Sequence, residues 1–466
     1  MKFHGALARC VAFSTLQQLT LAQSAQELID SVLNPDPDSA TYSSYSSEIY
    51  YNATLYNQTP IASTNYDRLE ASAKLRLPAA AYDYAAGGAG LGKTVAANRK
   101  AFDQWQIVPR MMRDVLPHRN LSTNLFGRTL PAPVVMAPVG VQTLFHPTGE
   151  RATAKVFGEL GLPYTLSTAT STGFADVAEA NGDGSPRWYQ LYWPSDDDLT
   201  RSYLRSAKEN GYEVLVVTVD TWDLGWRTRD LDRGFFPFIR GIGVQIGLED
   251  SCAHEKLGFN PLAPNATAEQ KQTAALYHVI TTSRGISPVW RNLTKLREFW
   301  GDGPIVLKGI QTAEDAQMAV EYGIDGIILS NVSFFDNIIC FIDNHEARRA
   351  TSRRCNRLSR SSSFHCGGCK GEDNHRIRRR HSLRSRHVSL ARKTLVRANM
   401  HRYKAIALGA DFVQLGRPVL WGLAHEGEKG VRHVLKSLLA EFDLTVGLSG
   451  CETLDQVNST FLQRVE

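Results

Sequence analysis

Residues 214–220 read VLVVTVD. The run begins with four consecutive apolar residues, which is typical of a strand buried on both faces in a parallel sheet. Similar apolar runs alternate with amphipathic helical segments along most of the chain. They are PVVMAPVG at 133–140, PYTLST at 163–168, RWYQLYW at 187–193, IVLKG at 305–309, DGIILSN at 325–331 and DFVQLGRP at 411–418. So many strand–helix units predict an α/β fold, specifically a (β/α)8 TIM barrel.

The composition permits one large domain with additional segments at its ends. The chain has 466 residues, of which 43% are apolar, so it can bury a sizeable core and is not disordered overall. Its formal charge of +5 is misleading. Residues 347–404 hold 18 Lys or Arg against two acidic residues, so the rest of the chain is acidic. Outside residues 332–402 only three cysteines remain, too few for a disulfide framework.

Three regions precede or make up the predicted barrel. Residues 1–25 combine early basic residues, a short apolar run and small residues, as a secretory signal does, although Gln17 and Gln18 interrupt the apolar run. Residues 26–65 are rich in Ser, Tyr, Asn and Pro and predict an extended arm, with the barrel at 66–466 and its first helix at 69–88. A secreted protein is expected, and a cytoplasmic or peroxisomal one is the alternative. Sequons agree with secretion; they lie at Asn52, Asn57, Asn120, Asn265, Asn292 and Asn458.

No membrane span is expected, because no apolar run reaches the roughly 18–20 residues that a helix needs to cross a bilayer.

Polar residues stand where successive strands end, which in a TIM barrel is the catalytic face. They are Ser167, Gln190, Tyr192, Thr218, Asp220, Lys308, Gly416 and Arg417. Any one of them alone is more often a simple strand end. Together they provide amide and hydroxyl groups for a flat heterocycle, a lysine to balance an anion, and a Gly-Arg pair for a phosphate.

Most of residues 66–331 and 403–466 resemble the FMN-dependent α-hydroxy-acid oxidases and dehydrogenases, particularly the lactate 2-monooxygenase type. The resemblance is carried by several motifs in order along the chain. They are YDYAAGGAG, ANRKAFDQWQIVPRMMRDV, APVGVQTLFHPTGE, PRWYQLYW, VVTVDTWDLGWRTRDL, VLKGI, ALGADFVQLGRPVLWGLA and GVRHVLKSLLAEFDLTVGLSG.

The resemblance implies FMN as cofactor and a role for each matching residue. FMN is expected on Pro138, Val139, Gly140, Ser167, Gln190 and Thr218, with its phosphate on Gly416 and Arg417. Lys308 is expected to stabilise the reduced flavin. Tyr84, Tyr192 and Arg227 are expected to bind the hydroxy acid, and Asp220 to orient a catalytic histidine. For Tyr84 taken alone, the alternative without a function is packing under a helix. For Arg227 taken alone, it is a solvated charge on a loop.

The histidine itself is missing from its expected place. The family carries His-x-Gly-Arg-Gln after the strand that ends here in Ser330-Asn331, and a second, phosphate-binding motif further on. Neither motif appears in this chain. His345, His365 and His375 lack the expected context. The segment HCGGC at 365–369 has one Cys-x-x-Cys and no second pair, so no metal site is expected.

We interpret the absence of both motifs as the result of two introns retained in the translated sequence. Val332-Ser333 and Val388-Ser389 can both translate GTAAGT, a typical intron start. Read one base later, a back-translation of 347–360 gives HEGRQVDGAIASL, and one of 377–386 gives FDGGIRSGAD. The two inserted pieces together span a whole number of codons, so the frame is restored near Tyr403. Residues 332–402 are therefore predicted to be intron-derived or out of frame.

The sequence thus predicts a gene for an FMN-dependent enzyme that oxidises an L-2-hydroxy acid, with O2 as acceptor, acting as a homo-oligomer. The translation given is expected to be impaired, because it lacks the general base. The alternative from another class is a catalytically dead barrel that binds an acidic partner through its basic segment. A nucleic-acid-binding role for that segment is not expected, because it lacks interleaved aromatic residues.

Overall fold

The computed structural model describes residues 41–115, 119–283, 285, 287–330, 341–343 (backbone only) and 401–465. Its strands are β1 Trp105–Ile107, β2 Thr123–Leu125, β3 Arg128–Leu130, β4 Val134–Met136, β5 Tyr164–Ser167, β6 Arg187–Leu191, β7 Val214–Thr218, β8 Ile305–Ile310, β9 Gly326–Leu329, β10 Phe341–Asp343, β11 Val413–Leu415 and β12 Leu462–Arg464.

The α-helices lie mainly between these strands. They are α1 Ser44–Tyr56, α2 Tyr66–Arg76, α3 Ala79–Ala86, α4 Lys93–Ala101, α5 Gly149–Glu159, α6 Phe174–Asn181, α7 Asp197–Glu209, α8 Thr228–Arg233, α9 Gln245–Glu249, α10 Ser251–Leu257, α11 Ala268–Thr282, α12 Leu293–Trp300, α13 Ala313–Glu321, α14 His401–Ala407, α15 Arg417–Glu426 and α16 Glu428–Leu448.

The predicted α/β TIM barrel is confirmed. Strands β5 to β9 pair in parallel in chain order, and β11 pairs in parallel with β4. A backbone hydrogen bond of 2.9 Å from Met136 to Pro163 joins β4 to β5. The described residues therefore supply seven parallel strands in the order β11, β4, β5, β6, β7, β8, β9.

The eighth position, between β9 and β11, departs from the barrel pattern. There β10 pairs with β9 in the antiparallel sense, with Phe341 opposite Ile328. A (β/α)8 barrel has eight parallel strands. The expected parallel strand is thus replaced within the region 332–402 that the sequence marks as aberrant.

The barrel interior is filled by side chains from alternate strand positions. Val216, Val306 and Ile328 pack there with Trp188 and Phe412, whose rings meet edge to face at 5.4 Å. Leu125 and Leu130, from the β2–β3 hairpin, join this cluster beside Val214 at the start of β7, so the hairpin closes the amino-terminal end. The polar residues at the strand ends therefore face the other, carboxyl-terminal opening of the barrel.

The segment preceding the barrel is partly helical rather than extended throughout. Helix α1 lies within the predicted extended arm and packs on α16. The Ser43 amide donates to Asp443 at 2.8 Å, and the Tyr45 hydroxyl and His433 Nδ1 are 2.8 Å apart. These contacts to the barrel give α1 the tertiary support that a short helix needs.

The single helix predicted at 69–88 is two helices, α2 and α3. Pro78 follows Leu77, whose backbone is extended with ψ 148°. A residue before proline avoids the helical conformation, and proline has no N–H to donate. No helix in the described ranges is both long and apolar enough to cross a bilayer.

Candidate active site

Three neighbouring strand ends form one continuous row of hydrogen bonds. The Ser167 hydroxyl, on β5, donates to Gln190 Oε1 at 2.8 Å, and Gln190 Nε2, on β6, donates to Thr218 Oγ1, on β7, at 2.9 Å. All three side chains are buried. The parallel register places Ser167 beside Gln190, which explains why residues far apart in sequence meet here. The sequence predicted that these three residues end successive strands on one face; it did not predict their hydrogen bonds to one another.

A buried charged pair continues the row on the next strand. Lys308, opposite Thr218 in the β7–β8 register, has Nζ 3.7 Å from Asp220 Oδ1. Burial lowers the pKa of Lys308, and Asp220 only partly opposes that shift. Ser330 Oγ donates to Asp220 Oδ2 at 3.2 Å. A buried cation at hydrogen-bonding strand ends can stabilise a further negative charge.

Gly309 allows the Asp220 side chain to lie close to Lys308. It has φ +112°, and a Cβ built on it would lie 2.7 Å from the Asp220 side chain. The β8–β9 register also shifts between Lys308 and Ile310. A side chain at Gly309 would therefore force Asp220 away from Lys308.

Tyr84, Arg227 and Tyr192 form a second group. The guanidinium of Arg227 lies 5.2 Å from the centre of the Tyr84 ring, and Arg227 Nη1 is 3.1 Å from Asp230. Burial raises the pKa of Tyr84 to about 12, with Arg227 opposing the shift. Burial, with Tyr84 and Asp220 nearby, also raises the pKa of Tyr192. Both phenols therefore keep their protons and can donate to an anionic ligand.

The loop after β4 presses closely on the loop after β5. Residues 138–140 follow β4, and a Cβ on Gly140 would collide with the carbonyl of Ala169. The next residue, Val141, donates its amide to the same carbonyl at 2.9 Å. Glycine at 140 is thus required here by a close backbone approach.

Gly416 and Arg417 stand at the amino end of α15, next to the end of α3. Arg417 Nε donates to the Ala85 carbonyl at 2.8 Å and Nη2 to the Gly87 carbonyl at 3.1 Å. Burial lowers the pKa of Arg417 to about 10. Helix amino termini and arginine both suit phosphate groups. Since α3 also carries Tyr84, this helix links the predicted phosphate and substrate groups.

Sequence reasoning gave no role to two supporting residues. Ser330, which directly follows β9, was recognised as a strand end, and the rule applied to the other strand ends applies to it as well. Glu150 is fully buried and accepts from the amides of Gln142 and Ser171, both at 3.0 Å, which ties together the loops after β4 and β5. No sequence signal marks Glu150.

The predictions concerning His345, His365, His375, the segment 365–369 and most of the basic tract 347–404 fall outside the described residues. Within the described ranges no cluster of His, Cys, Asp and Glu suits a metal ion.

Known proteins resemble this chain over most of its length. The model of the FMN-dependent dehydrogenase family matches residues 73–333 and 396–464. The chain belongs to this family. An FMN-dependent alpha-hydroxy acid dehydrogenase of Penicillium citrinum is 38% identical over 427 residues, covering 91% of this chain and 96% of the relative. An L-lactate oxidase of Lysinibacillus sphaericus is 31% identical, covering 84% and 91%.

Solved structures of the family agree. A mandelate oxidase with (S)-4-hydroxymandelic acid superposes with a TM-score of 0.62 at 31% identity, covering 86% of this chain and 98% of that one. FMN is therefore the cofactor of this protein, as predicted.

The residues present fit FMN. The row Ser167–Gln190–Thr218 presents amide and hydroxyl groups to a flat ring, and Lys308 adds a buried positive charge beside it. Arg417 lies at a helix amino terminus, where a phosphate is favoured. The family match nevertheless stops at residue 333 and resumes at 396, which leaves the predicted second phosphate motif unmatched.

Proposed function

We propose that this gene encodes an FMN-dependent oxidoreductase that oxidises an L-2-hydroxy acid, with O2 as the electron acceptor. The product is the 2-oxo acid or its oxidative decarboxylation product. The observation that carries the proposal is the continuous arrangement of Ser167, Gln190, Thr218 and Lys308 beside the pair Tyr84 and Arg227. Relatives named L-lactate oxidase and 4-hydroxymandelate oxidase support the substrate class and the acceptor.

Each residue's task follows from its charge and protonation. Arg227 binds the carboxylate of the hydroxy acid, since a guanidinium forms paired hydrogen bonds with that group. Tyr84 and Tyr192 keep their protons because burial raises their pKa, so they donate to the carboxylate and the hydroxyl. Bound FMN supplies a two-electron acceptor. Lys308 balances the negative charge that arrives at the strand ends.

The general base is the missing part. Asp220 is placed to orient a base and stabilise its protonated form, and it lies beside Ser330 at the end of β9. The base is expected directly after Ser330-Asn331. We propose that the functional protein is the exon-joined one, in which Asn331 is followed by the lost His-x-Gly-Arg-Gln motif.

Three observations support the proposed introns. The family match skips residues 334–395. Strand β10 is antiparallel where a barrel needs a parallel strand. Next to this gap, the described residues offer no hydrogen-bond partner to either amide atom of buried Gln414, in β11. Nor do they offer one to Nε or Nη1 of buried Arg402, in α14. Burying a polar atom without a partner is costly, and within the described ranges these side chains lack the neighbours that an intact barrel would provide.

The test compares the 466-residue chain with the exon-joined protein, after the transcripts have been sequenced. Both proteins are purified, their flavin absorbance is recorded, and each is mixed anaerobically with L-lactate. We expect the exon-joined protein to be yellow and to bleach. Loss of a general base typically costs about 10²–10⁴-fold, so the 466-residue chain should bleach slower by at least that factor.

A Lys308→Met variant of the exon-joined protein serves as a control that should bleach slowly. Transcripts that all retain both pieces, together with a 466-residue chain that bleaches as fast as the joined one, would show the proposal to be wrong.

We further propose a secretory route and a homo-oligomeric assembly. Four sequon asparagines, Asn57, Asn120, Asn265 and Asn458, are exposed in the structure, which a glycan requires. Light scattering of the purified protein tests the assembly, and a monomeric mass would contradict it.

A further inference from the structure

A strained residue lies next to the backbone on which FMN is expected. Val141 directly follows residues 138–140 and has φ 51° and ψ 31°, in the left-handed region. A β-branched residue there is an outlier, and the conformation persists only where the surrounding contacts fix it. The contacts that hold Val141 in this conformation therefore also fix the shape of residues 138–140.

Two amide hydrogen bonds hold this strained stretch. The Val141 amide donates to the Ala169 carbonyl at 2.9 Å, and the next amide, that of Gln142, donates to Glu150 Oε1 at 3.0 Å. The Gln142 side chain then returns to the same loop, because its Nε2 donates to the Val139 carbonyl at 2.9 Å. Gln142 thus links Glu150 to one of the residues on which FMN is expected.

The Glu150 carboxylate holds the loop after β5 at the same time. Its Oε1 also accepts from the Ser171 amide at 3.0 Å, and its Oε2 accepts from the Thr172 hydroxyl at 3.0 Å. Burial raises the pKa of Glu150, while the amides of Ser171 and Gln142 oppose that shift. Glu150 also lies in the first turn of α5, where the helix dipole favours a negative charge. One fully buried carboxylate therefore joins the loops after β4 and β5.

We infer that Glu150 is a positioning residue for FMN, because it keeps Val141 in its strained conformation and residues 138–140 in the arrangement that receives the cofactor. The inference rests on the proposed function, since the contact of residues 138–140 with FMN is itself proposed. Glu150 acts through Gln142 and does not touch the flavin. Hydrogen bonds to a charged acceptor are roughly twice as strong as neutral ones, so the carboxylate offsets the strain better than a neutral group would.

The expected effect is on the affinity for FMN. When only a fraction of the protein has the binding arrangement, the apparent Kd rises by the inverse of that fraction. Glu150→Leu removes the acceptor of two amides, and we expect FMN to bind at least about tenfold more weakly, as the loss of a hydrogen bond to a charge allows. Glu150→Gln keeps one oxygen for both amides and turns its Nε2 towards the Thr172 hydroxyl, so binding should weaken by only about two- to fivefold.

Titration of the apoprotein with FMN tests the inference. Quenching of FMN fluorescence gives the Kd for the 466-residue chain and for each variant. Glu159→Gln is the matched control, because Glu159 lies at the other end of α5 and pairs with Arg432 near the surface, so its removal should leave the Kd unchanged. Hydrogen–deuterium exchange at the amides of Gln142 and Ser171 should accelerate in Glu150→Leu and not in the control.

A double-mutant cycle shows whether Glu150 acts through the strain at Val141. Glycine adopts the left-handed conformation without steric cost, so Val141→Gly removes the strain that Glu150 offsets. The factor by which Glu150→Leu weakens FMN binding should therefore be at least about twofold smaller in the Val141→Gly background. A residue that only contributes to the overall stability of the fold would weaken binding by the same factor in both backgrounds.

The outcomes separate this inference from the proposed function. If Glu150→Leu binds FMN as tightly as the unaltered chain, or loses the same factor in both backgrounds, the inference is overturned while FMN binding stands. If Glu150→Leu fails to fold, Glu150→Gln in the two backgrounds decides by the same criterion. If the 466-residue chain does not bind FMN, the same series in the exon-joined protein decides. If neither protein binds FMN, the proposed function fails, and this inference with it.

Discussion

Replacing Arg402 with methionine should stabilise the 466-residue chain. The Arg402 side chain is almost fully buried in α14, between the barrel and α16. Its Nη2 donates to the Leu438 carbonyl at 2.8 Å and lies 3.4 Å from Glu441, whereas Nε and Nη1 find no partner within the described part of the chain. A guanidinium satisfied on one nitrogen alone is a poor core residue.

The size of the effect follows from the pKa. Burial lowers the pKa of Arg402 well below its usual range, to about 10, with Glu441 opposing the shift. The folded state thus disfavours the charged form. The resulting destabilisation is fully present below pH 10 and is relieved only as the pH rises from about 10 towards 12.5. At 1.36 kcal/mol per pKa unit, the buried charge of Arg402 destabilises the folded state by on the order of 3 kcal/mol at neutral pH. Loss of the hydrogen bond to Leu438 offsets about 1 kcal/mol.

Urea unfolding at pH 7 measures the result. We expect Arg402→Met to raise the free energy of unfolding by about 1–3 kcal/mol, with Glu441 returning to solvent, since its side chain is already 32% exposed. Arg417→Met is the matched control. Arg417 is similarly buried with its pKa also lowered to about 10, but its donors satisfy two carbonyls, so the loss of both hydrogen bonds offsets about 2 kcal/mol and its removal should stabilise the chain less than removal of Arg402. If Arg402→Met lowered the free energy of unfolding by more than 1 kcal/mol, Arg402 would be an integral core residue, and the proposed junction there would lose its structural support.

Two other predictions concern acidity and secretion. Burial lowers the pKa of His278 from 6.5 to about 4, so its neutral ring, 3.0 Å from the Tyr203 hydroxyl, contributes stability that is lost as the pH falls through this window. His278→Gln should remove roughly 3 kcal/mol of the stability loss between pH 6.5 and 4, measured by urea unfolding, and an unchanged pH profile would refute this assignment. Secreted expression in yeast should give a product whose mass falls on N-glycosidase treatment, with sites at Asn57, Asn120, Asn265 or Asn458; a secreted but glycan-free product would contradict this.

The clustering of the strand-end residues that are proposed to face the flavin could be predicted from sequence, because the information for it is local. Each apolar run is one complete buried strand, and in parallel strands the last residues all reach the same face. Ser167, Gln190, Thr218 and Lys308 therefore had to lie together once the strands were recognised.

The substrate side and the supporting contacts are not local. Tyr84 sits on α3 and Arg227 precedes α8, so no strand rule places them together, and their prediction depended on the family resemblance. Likewise, the donation from Arg417 to Ala85 and Gly87 joins residues more than 300 positions apart. Helix α1 could not be predicted, because its own sequence carries little amphipathic pattern. It depends on packing against α16.

The proposed insertions affect the base and phosphate motifs but leave the groups for ring and acid recognition in place. The groups proposed to face the flavin ring lie on β5 to β8, and Tyr84 and Arg227 lie on helices and loops beside them, all within the continuous match that ends at residue 333. The base and phosphate motifs that are proposed to be missing belong to the stretch of chain between β9 and β11. Ring and acid recognition can therefore persist in the 466-residue chain while proton removal does not, because recognition depends on groups already held by hydrogen bonds and close packing. Ligand-induced changes in flavin absorbance without bleaching would be the signature of that separation, and they distinguish a barrel that has lost a base from one that has lost its fold.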